Sequence, residues 1–326
     1  MKKLKFLSFI LAAAMAFSFA GCDFIDDILH EDEPDVPPME PPEVLEPVDP
    51  NWPVTAFGTE IKKAPEKVAV ASPALAEYIS DMGLMEKVCA VSDFCNFGGA
   101  SAMASIGSVR LPDMETIKEV SPDYIITFAQ YEESILIELQ QMNINVIVIT
   151  APKTLDELRD LYREIALFFL GAIEGPTAGE EYVAEYDFAL SSLCYSGEKK
   201  TIAVIRALDY MMITGGTMEN ELLTAAGLLN AAEAESGYMY DFEKWKEFDP
   251  AALFINSDIH LIDLESSDLY KKKSAVKGDK VYNVDVDALG LCSKRSFAIL
   301  KDMLATVYPD YTEGTPFEPA YPSMYS

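Results

Sequence analysis

Residues able to break bonds or hold metal ions are few and scattered in this chain. Ser72, His260 and Asp93 supply the types of a nucleophilic triad, but no G-x-S-x-G turn presents a serine, and Ser72 before Pro73 has the pattern of a helix N-cap with proline at the first helical position. No G-x-G-x-x-G or Walker motif is present, and Gly215-Gly216 alone signals only a loop. Cys22, Cys89, Cys95, Cys194 and Cys292 show no C-x-x-C spacing and no histidine beside them, so a zinc site has nothing to build on. After Cys22 the cysteines read as buried free thiols. His30 lies in a proline-rich acidic stretch and is given no role. The expectation is a protein that is not an enzyme and carries no resident cofactor or structural metal.

The first residues have a chemistry of their own. Lys2, Lys3 and Lys5 precede an apolar run from Leu7 to Ala20 and then Gly21-Cys22, the order of a signal peptide. Phe19-Ala20-Gly21-Cys22 resembles a bacterial lipobox with Phe where Leu is usual, which makes Cys22 the expected site of lipid attachment. The run is shorter than the roughly 20 residues a spanning helix needs. Residues 23–53 then hold eleven acidic residues, eight prolines and no Lys or Arg, the composition of an extended tether.

Composition narrows the partners. With 54 acidic and 25 basic residues among 326, the formal charge of -29 repels a phosphate backbone, so nucleic acid is excluded. Half the residues are hydrophobic, enough for a large core.

The elements that must position any site follow from periodicity. KVAVA (67–71), VCAVS (88–92), YIITF (124–128) and NVIVIT (145–150) read as buried strands, and the alternation restarts with TIAVIRAL (201–208), ALFIN (252–256) and KVYNVDV (280–286). Helices lie between them. One starts at Ser72-Pro73 and stops at Gly83; another starts in a Thr154/Glu157 capping box and buries Leu155, Leu158, Leu161, Tyr162, Ile165 and Phe168. Residues 114–126 align with 242–254 at a constant offset, matching Glu115 with Glu243, Lys118 with Lys246, Glu119 with Glu247 and Pro122 with Pro250, which suggests two pseudo-symmetric halves. The class is α/β, two Rossmann-like lobes with central parallel-type sheets joined by one long α-helix. The expected divisions are a signal peptide (1–21), a tether (22–60), an N-terminal lobe (61–174), the linking helix (175–197), a C-terminal lobe (198–312) and a tail (313–326).

Several blocks together resemble the substrate-binding proteins of ABC importers for cobalamin, haem and iron-siderophore complexes. They are VAVASPALAEYISDMGL (68–84), VCAVSDFCNF (88–97), METIKEVSPDYIIT (114–127), ITGGTMENELLTAAGLLNAA (213–232), AVKGDKVYNVD (275–285) and CSKRSFAILKDMLATVYP (292–309). The resemblance implies that Glu115 and Glu243, one per lobe, dock on a basic permease, although Pro250-Ala251 replaces the usual Pro-Asp in the second lobe. It also implies a ligand between the lobes, at loops following the carboxyl ends of the strands. Those loops hold Ser72, Asp93, Phe94, Asn96, Phe97, Arg110, Phe128, Gln130 and Tyr131 in the first lobe, and Arg206, Asp209, Tyr210, Met211, Met212, Tyr238, Tyr240, His260 and Arg295 in the second. Aromatics and methionines with a few arginines suit a large, partly apolar ligand bearing carboxylates. Haem, a ferric siderophore and cobalamin all remain open, whereas free Zn²⁺ or Mn²⁺ capture is disfavoured because the folded region has His260 alone. The implied partners are the permease and its ATPase, with a monomer anchored by acyl chains on the outer face of the cytoplasmic membrane. The contrasting reading is a tethered receptor of the same fold that signals or presents ligand without an importer.

Overall fold

A computed structural model describes residues 49–209 and 211–320. The signal peptide, Cys22, His30, Tyr210 and the last six residues lie outside them.

The chain first forms an antiparallel hairpin, β1 (Val54–Ala56) and β2 (Thr59–Ile61). Trp52, Val54, Ala56 and Ile61 are buried in the main core, so the tether expected through residue 60 gives way to packed structure before that point. Apolar residues at alternate positions, 52, 54 and 56, outweigh the acidic, proline-rich composition that precedes them.

The N-terminal lobe comprises β3 (Val68–Val70), α1 (Pro73–Asp81), β4 (Val88–Val91), β5 (Ala104–Ser105), α2 (Met114–Val120), β6 (Tyr124–Thr127), α3 (Glu133–Gln141) and β7 (Asn145–Val148). Its sheet runs β5-β4-β3-β6-β7, all parallel. Then comes α4 (Leu155–Ser192). The C-terminal lobe contains β8 (Thr201–Ala207), β9 (Met211–Met212), α5 (Met218–Ala225), β10 (Leu229–Asn230), α6 (Phe242–Glu247), β11 (Ala252–Asn256), α7 (Leu261–Ser266), α8 (Ser274–Lys277), β12 (Val281–Val284), α9 (Val286–Gly290) and α10 (Lys294–Val307). Its sheet runs β10-β8-β11-β12 in parallel, with β9 antiparallel on β8. Matching β4-β3-β6-β7 to β10-β8-β11-β12 gives one winding order twice, the fold class expected.

The offset pairing acquires a structural meaning here. Asp113 accepts from the backbone N–H groups of Glu115 and Thr116, and Asp241 does the same for Glu243 and Lys244, so α2 and α6 begin alike. Their buried residues, Ile117 and Trp245, are also matched.

The linking helix departs from a straight rod. Gly171 has φ +77° and ψ -169°, which splits α4 into residues 155–170 and 172–192. The two arms run antiparallel: Arg163 pairs with Glu180 at 2.8 Å, Arg159 with Asp187 at 2.8 Å, and the Tyr162 and Tyr182 rings lie 4.5 Å apart. Only glycine adopts this turn readily, and a Cβ there would stand 2.9 Å from Asn51. Asn51 is needed at that spot, because its carbonyl accepts from Ala172 N–H and its Oδ1 from Ile173 N–H, capping the second arm from outside. At Gly175 a Cβ would lie 2.8 Å from the Leu167 Cα, so the arms touch backbone to backbone. The arm that reaches the second lobe is therefore 172–192, about 31 Å long at the helical rise.

One continuous core includes Val70, Tyr78, Tyr162, Tyr186, Val204, Phe254 and Leu300, and so spans both lobes along α4. Separate clusters include Ile117, Ile125 and Leu139 in the first lobe and Trp245, Leu253 and Tyr270 in the second. Strands buried on both faces explain the uninterrupted apolar runs of the sequence. The tail is partly packed: Phe317 lies 6.2 Å from Phe254, and Ala320 N–H donates to Val281 O. No helix among the described residues is long and apolar enough to cross a membrane.

Candidate functional site

Loops that follow strand ends in both lobes line one concavity. The lobes also meet through contacts between α1 and residues 291–295 at the start of α10. Ser72 Oγ lies 3.5 Å from Leu75 N–H as the N-cap of α1, and Pro73 follows as expected. That helix turns Glu77, Tyr78 and Asp81 toward the second lobe. Tyr78 Oη donates to Leu291 O at 2.8 Å, Ser293 Oγ donates to Glu77 Oε1, and Arg295 pairs with Glu77 at 3.1 Å. Asp81 Oδ2 accepts from Lys294 N–H at 2.8 Å, and burial raises its pKa against the opposing effect of that hydrogen bond.

The walls come from the loops. In the first lobe, Asp93 accepts from Ser105 Oγ at 2.6 Å and borders a concavity of about 400 Å³ with Leu111 and Asp113. Phe94 is 82% exposed and Leu111 is 80% exposed, so two large apolar side chains are displayed on this rim. Phe94 also has φ +67°, an uncommon backbone for an aromatic residue and one that recurs at functional sites. Asn96 and Arg110 are exposed nearby in sequence, and Phe128 is half-buried against Tyr78, with ring centroids 6.4 Å apart.

In the second lobe, Arg206 at the end of β8 lies over the Tyr238 ring, 5.1 Å from its centroid. Its guanidinium contacts Glu219 and Asp287, each at 3.1 Å. Tyr238 Oη donates to Glu219, and burial together with the Glu219 charge pushes the Tyr238 pKa up to about 12. Tyr238, like Phe94, has positive φ, +63°. Met211 and Met239 are exposed beside this cluster and bridge to one another. A concavity of about 320 Å³ is lined by Pro152 and Lys153 from the first lobe and by Gly216, Glu219, Tyr238 and Gly290 from the second.

Several expected ligand contacts lie elsewhere. Tyr131 is buried with Ile117, Ile125 and Leu139, and burial alone pushes its pKa up to about 12. Tyr240 is buried edge-on against Trp245, 5.5 Å between centroids, and Met212 is buried with it. Tyr131 lies in the loop after β6 and Tyr240 just before α6, and both rings turn into clusters that include helix residues, a direction that their loop positions did not reveal. His260 begins α7, where its backbone N–H donates to Asp263, and is exposed there. Ser72 is occupied as a cap, and Arg295 is committed to Glu77.

Glu77, Lys153, Glu219, Asp287 and Leu111 were not anticipated at the cleft. Glu219 and Asp287 read in sequence as solvated acids in a helical first turn, and nothing local distinguishes them from such acids. Glu115 and Glu243 are exposed on the first turns of α2 and α6, and Glu243 also pairs with Lys246 at 2.8 Å. Cys95 and Cys292 are buried free thiols as expected, Cys89 is half-buried, and Cys194 is exposed.

A family described as periplasmic binding protein matches residues 68–288. The Fe(3+)-citrate-binding protein YfmC of Bacillus subtilis (strain 168) is 24% identical over 77% of this chain and 83% of its own length. An uncharacterized ABC transporter substrate-binding lipoprotein of the same organism, YvrC, is 22% identical over 77% of this chain and 82% of its own. Among solved structures, the periplasmic haem-binding protein HutB of Vibrio cholerae superposes with a TM-score of 0.63 at 17% identity, over 74% of this chain and 99% of its own. The vitamin B12-binding protein BtuF of the same organism gives 0.56 at 20% identity, over 74% and 96%. These structural likenesses establish the fold.

Proposed function

The chain belongs to the periplasmic binding protein family, and from that premise we propose that it is the extracytoplasmic receptor of an ABC importer, capturing an iron complex or cobalamin between its lobes. The observation that carries the reading is the concavity lined from both lobes, by Pro152 and Lys153 of the first and by Glu219 and Tyr238 of the second, with Phe94 and Leu111 exposed in loops of the first lobe and Met211, Met239 and the Arg206–Tyr238 pair in the second. Exposed apolar side chains in loops of both lobes suit a ligand with apolar faces, and the arginine suits a carboxylate edge. The relatives whose names state a ligand bind Fe(3+)-citrate, haem or vitamin B12, which keeps iron chelates and corrinoids as the ligand class.

Capture closes the lobes modestly. The Glu77–Arg295, Asp81–Lys294 and Tyr78–Leu291 contacts, together with the capped second arm of α4, limit hinge motion. Loaded protein then docks through Glu115 and Glu243, carboxylates of matched helices that a basic permease recognises at two separated points. Delivery is driven by the permease's ATPase, and the receptor itself performs no chemistry on its cargo. Acyl chains on Cys22 hold it at the outer face of the cytoplasmic membrane, with the acidic proline-rich segment as spacer and the folded part acting as a monomer.

Titration with haemin, cyanocobalamin, ferric citrate and a panel of ferric siderophores tests the ligand class, following intrinsic fluorescence and visible absorbance. Saturable one-to-one binding of one compound supports the reading. Absence of any response from folded protein refutes it.

A further inference from the structure

The charge cluster on the second lobe has a built asymmetry. Glu219 is a carboxylate with its side chain 5% exposed, held by two donors, Tyr238 Oη and Arg206 Nη1, each at 3.1 Å. A buried carboxylate needs a fixed counter-charge, so this edge of Arg206 is permanently committed. Tyr238 beneath the guanidinium fixes its plane. Among the described residues the other edge, Nη2, meets Asp287, whose side chain is 78% exposed. An exposed pair of this kind holds weakly and exchanges readily. Asp287 has no capping duty either, because Asp285 accepts the Ala288 N–H that starts α9.

The committed edge lies beside a concavity and is kept free of crowding. A Cβ at Gly290 would lie 3.1 Å from Glu219 Oε1 and 3.5 Å from Arg206 Nη1, so the absence of a side chain there keeps the pair uncrowded. Lys153, from the opposite lobe, lines the same concavity as Glu219, Tyr238 and Gly290 and brings a cation to the neighbourhood of the pair.

The geometry points to Asp287 as a stand-in anion: it holds the outward edge of Arg206 while the cleft is empty and is displaced by a carboxylate group of the cargo. This deepens the receptor reading and rests on it for the cargo, but not for the anion seat. Arg206 is oriented in advance by Glu219 and Tyr238, so an incoming carboxylate meets a guanidinium already in place. The exchange sets a threshold. A cargo carboxylate must outcompete a carboxylate of the protein, whereas a neutral complex gains nothing at this seat and leaves the Arg206–Asp287 pair intact. Asp287 thereby becomes a specificity-determining residue: it tempers the preference for carboxylates that Arg206 confers, so that only a cargo carboxylate stronger than its own is held at the second lobe.

The test uses the full-length protein in detergent with iron-free citrate as a polycarboxylate probe, measured by calorimetry, alongside ferric citrate and a neutral ferric hydroxamate. Asp287→Asn removes the competitor, and citrate affinity is expected to rise about three- to fivefold, the worth of an exposed pair. The hydroxamate is expected to be indifferent. Adding Arg206→Lys to Asp287→Asn keeps a cation for Glu219 but removes the two-edged fork, and should abolish the gain. Unchanged or weaker citrate binding by Asp287→Asn, or a gain that survives Arg206→Lys, overturns the proposal. If the citrate response follows expectation while no iron complex or corrinoid binds the unaltered protein, the anion seat stands and the cargo reading fails.

Discussion

Replacing Arg295 by alanine tests how the two lobes are held. Glu77 is 3% exposed in the first lobe, and its carboxylate meets Ser293 Oγ and the Arg295 guanidinium, both from the second. Truncating the arginine leaves a buried charge with one hydroxyl donor. Breaking a fully buried pair costs about 3–5 kcal/mol. The Arg295 side chain is 44% exposed, and water entering the vacated space reduces that to about 2–3 kcal/mol. Glu77→Gln combined with Arg295→Met removes the charge and keeps the packing, so the double variant should be more stable than Arg295→Ala despite carrying two changes. Equilibrium urea unfolding gives each free energy, and Glu77→Gln and Arg295→Met singly complete the cycle, with an expected coupling of about 1–3 kcal/mol. A coupling near zero, or a double variant as unstable as Arg295→Ala, would refute the idea that this pair holds the lobes by satisfying a buried charge.

Other outcomes follow from the same contacts. Asn51→Ala removes the outside cap on the second arm of α4 and should cost about 1 kcal/mol in urea unfolding. Gly171→Ala places a Cβ against Asn51 at positive φ and should cost more, about 2 kcal/mol or above. Phe94→Ala should leave unfolding almost unchanged, because the ring is 82% exposed, yet weaken cargo binding about tenfold in fluorescence titration if the ring contacts it. Glu115→Ala and Glu243→Ala should each reduce uptake into cells with cargo binding intact, and retained uptake would remove them from the docking surface. Tyr78, Tyr162 and Tyr186 have pKa values raised above 10 chiefly by burial. Since the folded state holds these protons above the unfolded value, their stabilisation is complete below pH 10 and is lost as pH rises further. An ultraviolet tyrosinate titration should therefore show these rings ionising together with unfolding.

The α/β class and its two repeated halves were legible in the order of residues, whereas the strand order was not. Runs such as 67–71 and 252–256 are apolar without alternation because their strands are covered on both sides, and caps at Ser72 and Thr154 mark helix starts through local hydrogen bonds. The offset match between residues 114–126 and 242–254 was legible because each half repeats one helix-turn-strand unit with its own buried residue. Direction and partnership were not legible. Tyr131 and Tyr240 stand in loops as Phe94 does, but which side of a loop a ring takes depends on the helices packed behind the sheet. The break at Gly171 was hidden because its cap, Asn51, lies far away in the chain. Above all, two of the three arginines expected to await an anion already hold carboxylates: Arg206 holds Glu219 and Asp287, and Arg295 holds Glu77, whereas Arg110 is exposed. Residue types reveal which charges a chain possesses, but tertiary structure decides which of them neutralise one another, because Coulomb attraction depends on distances and burial that no local spacing fixes.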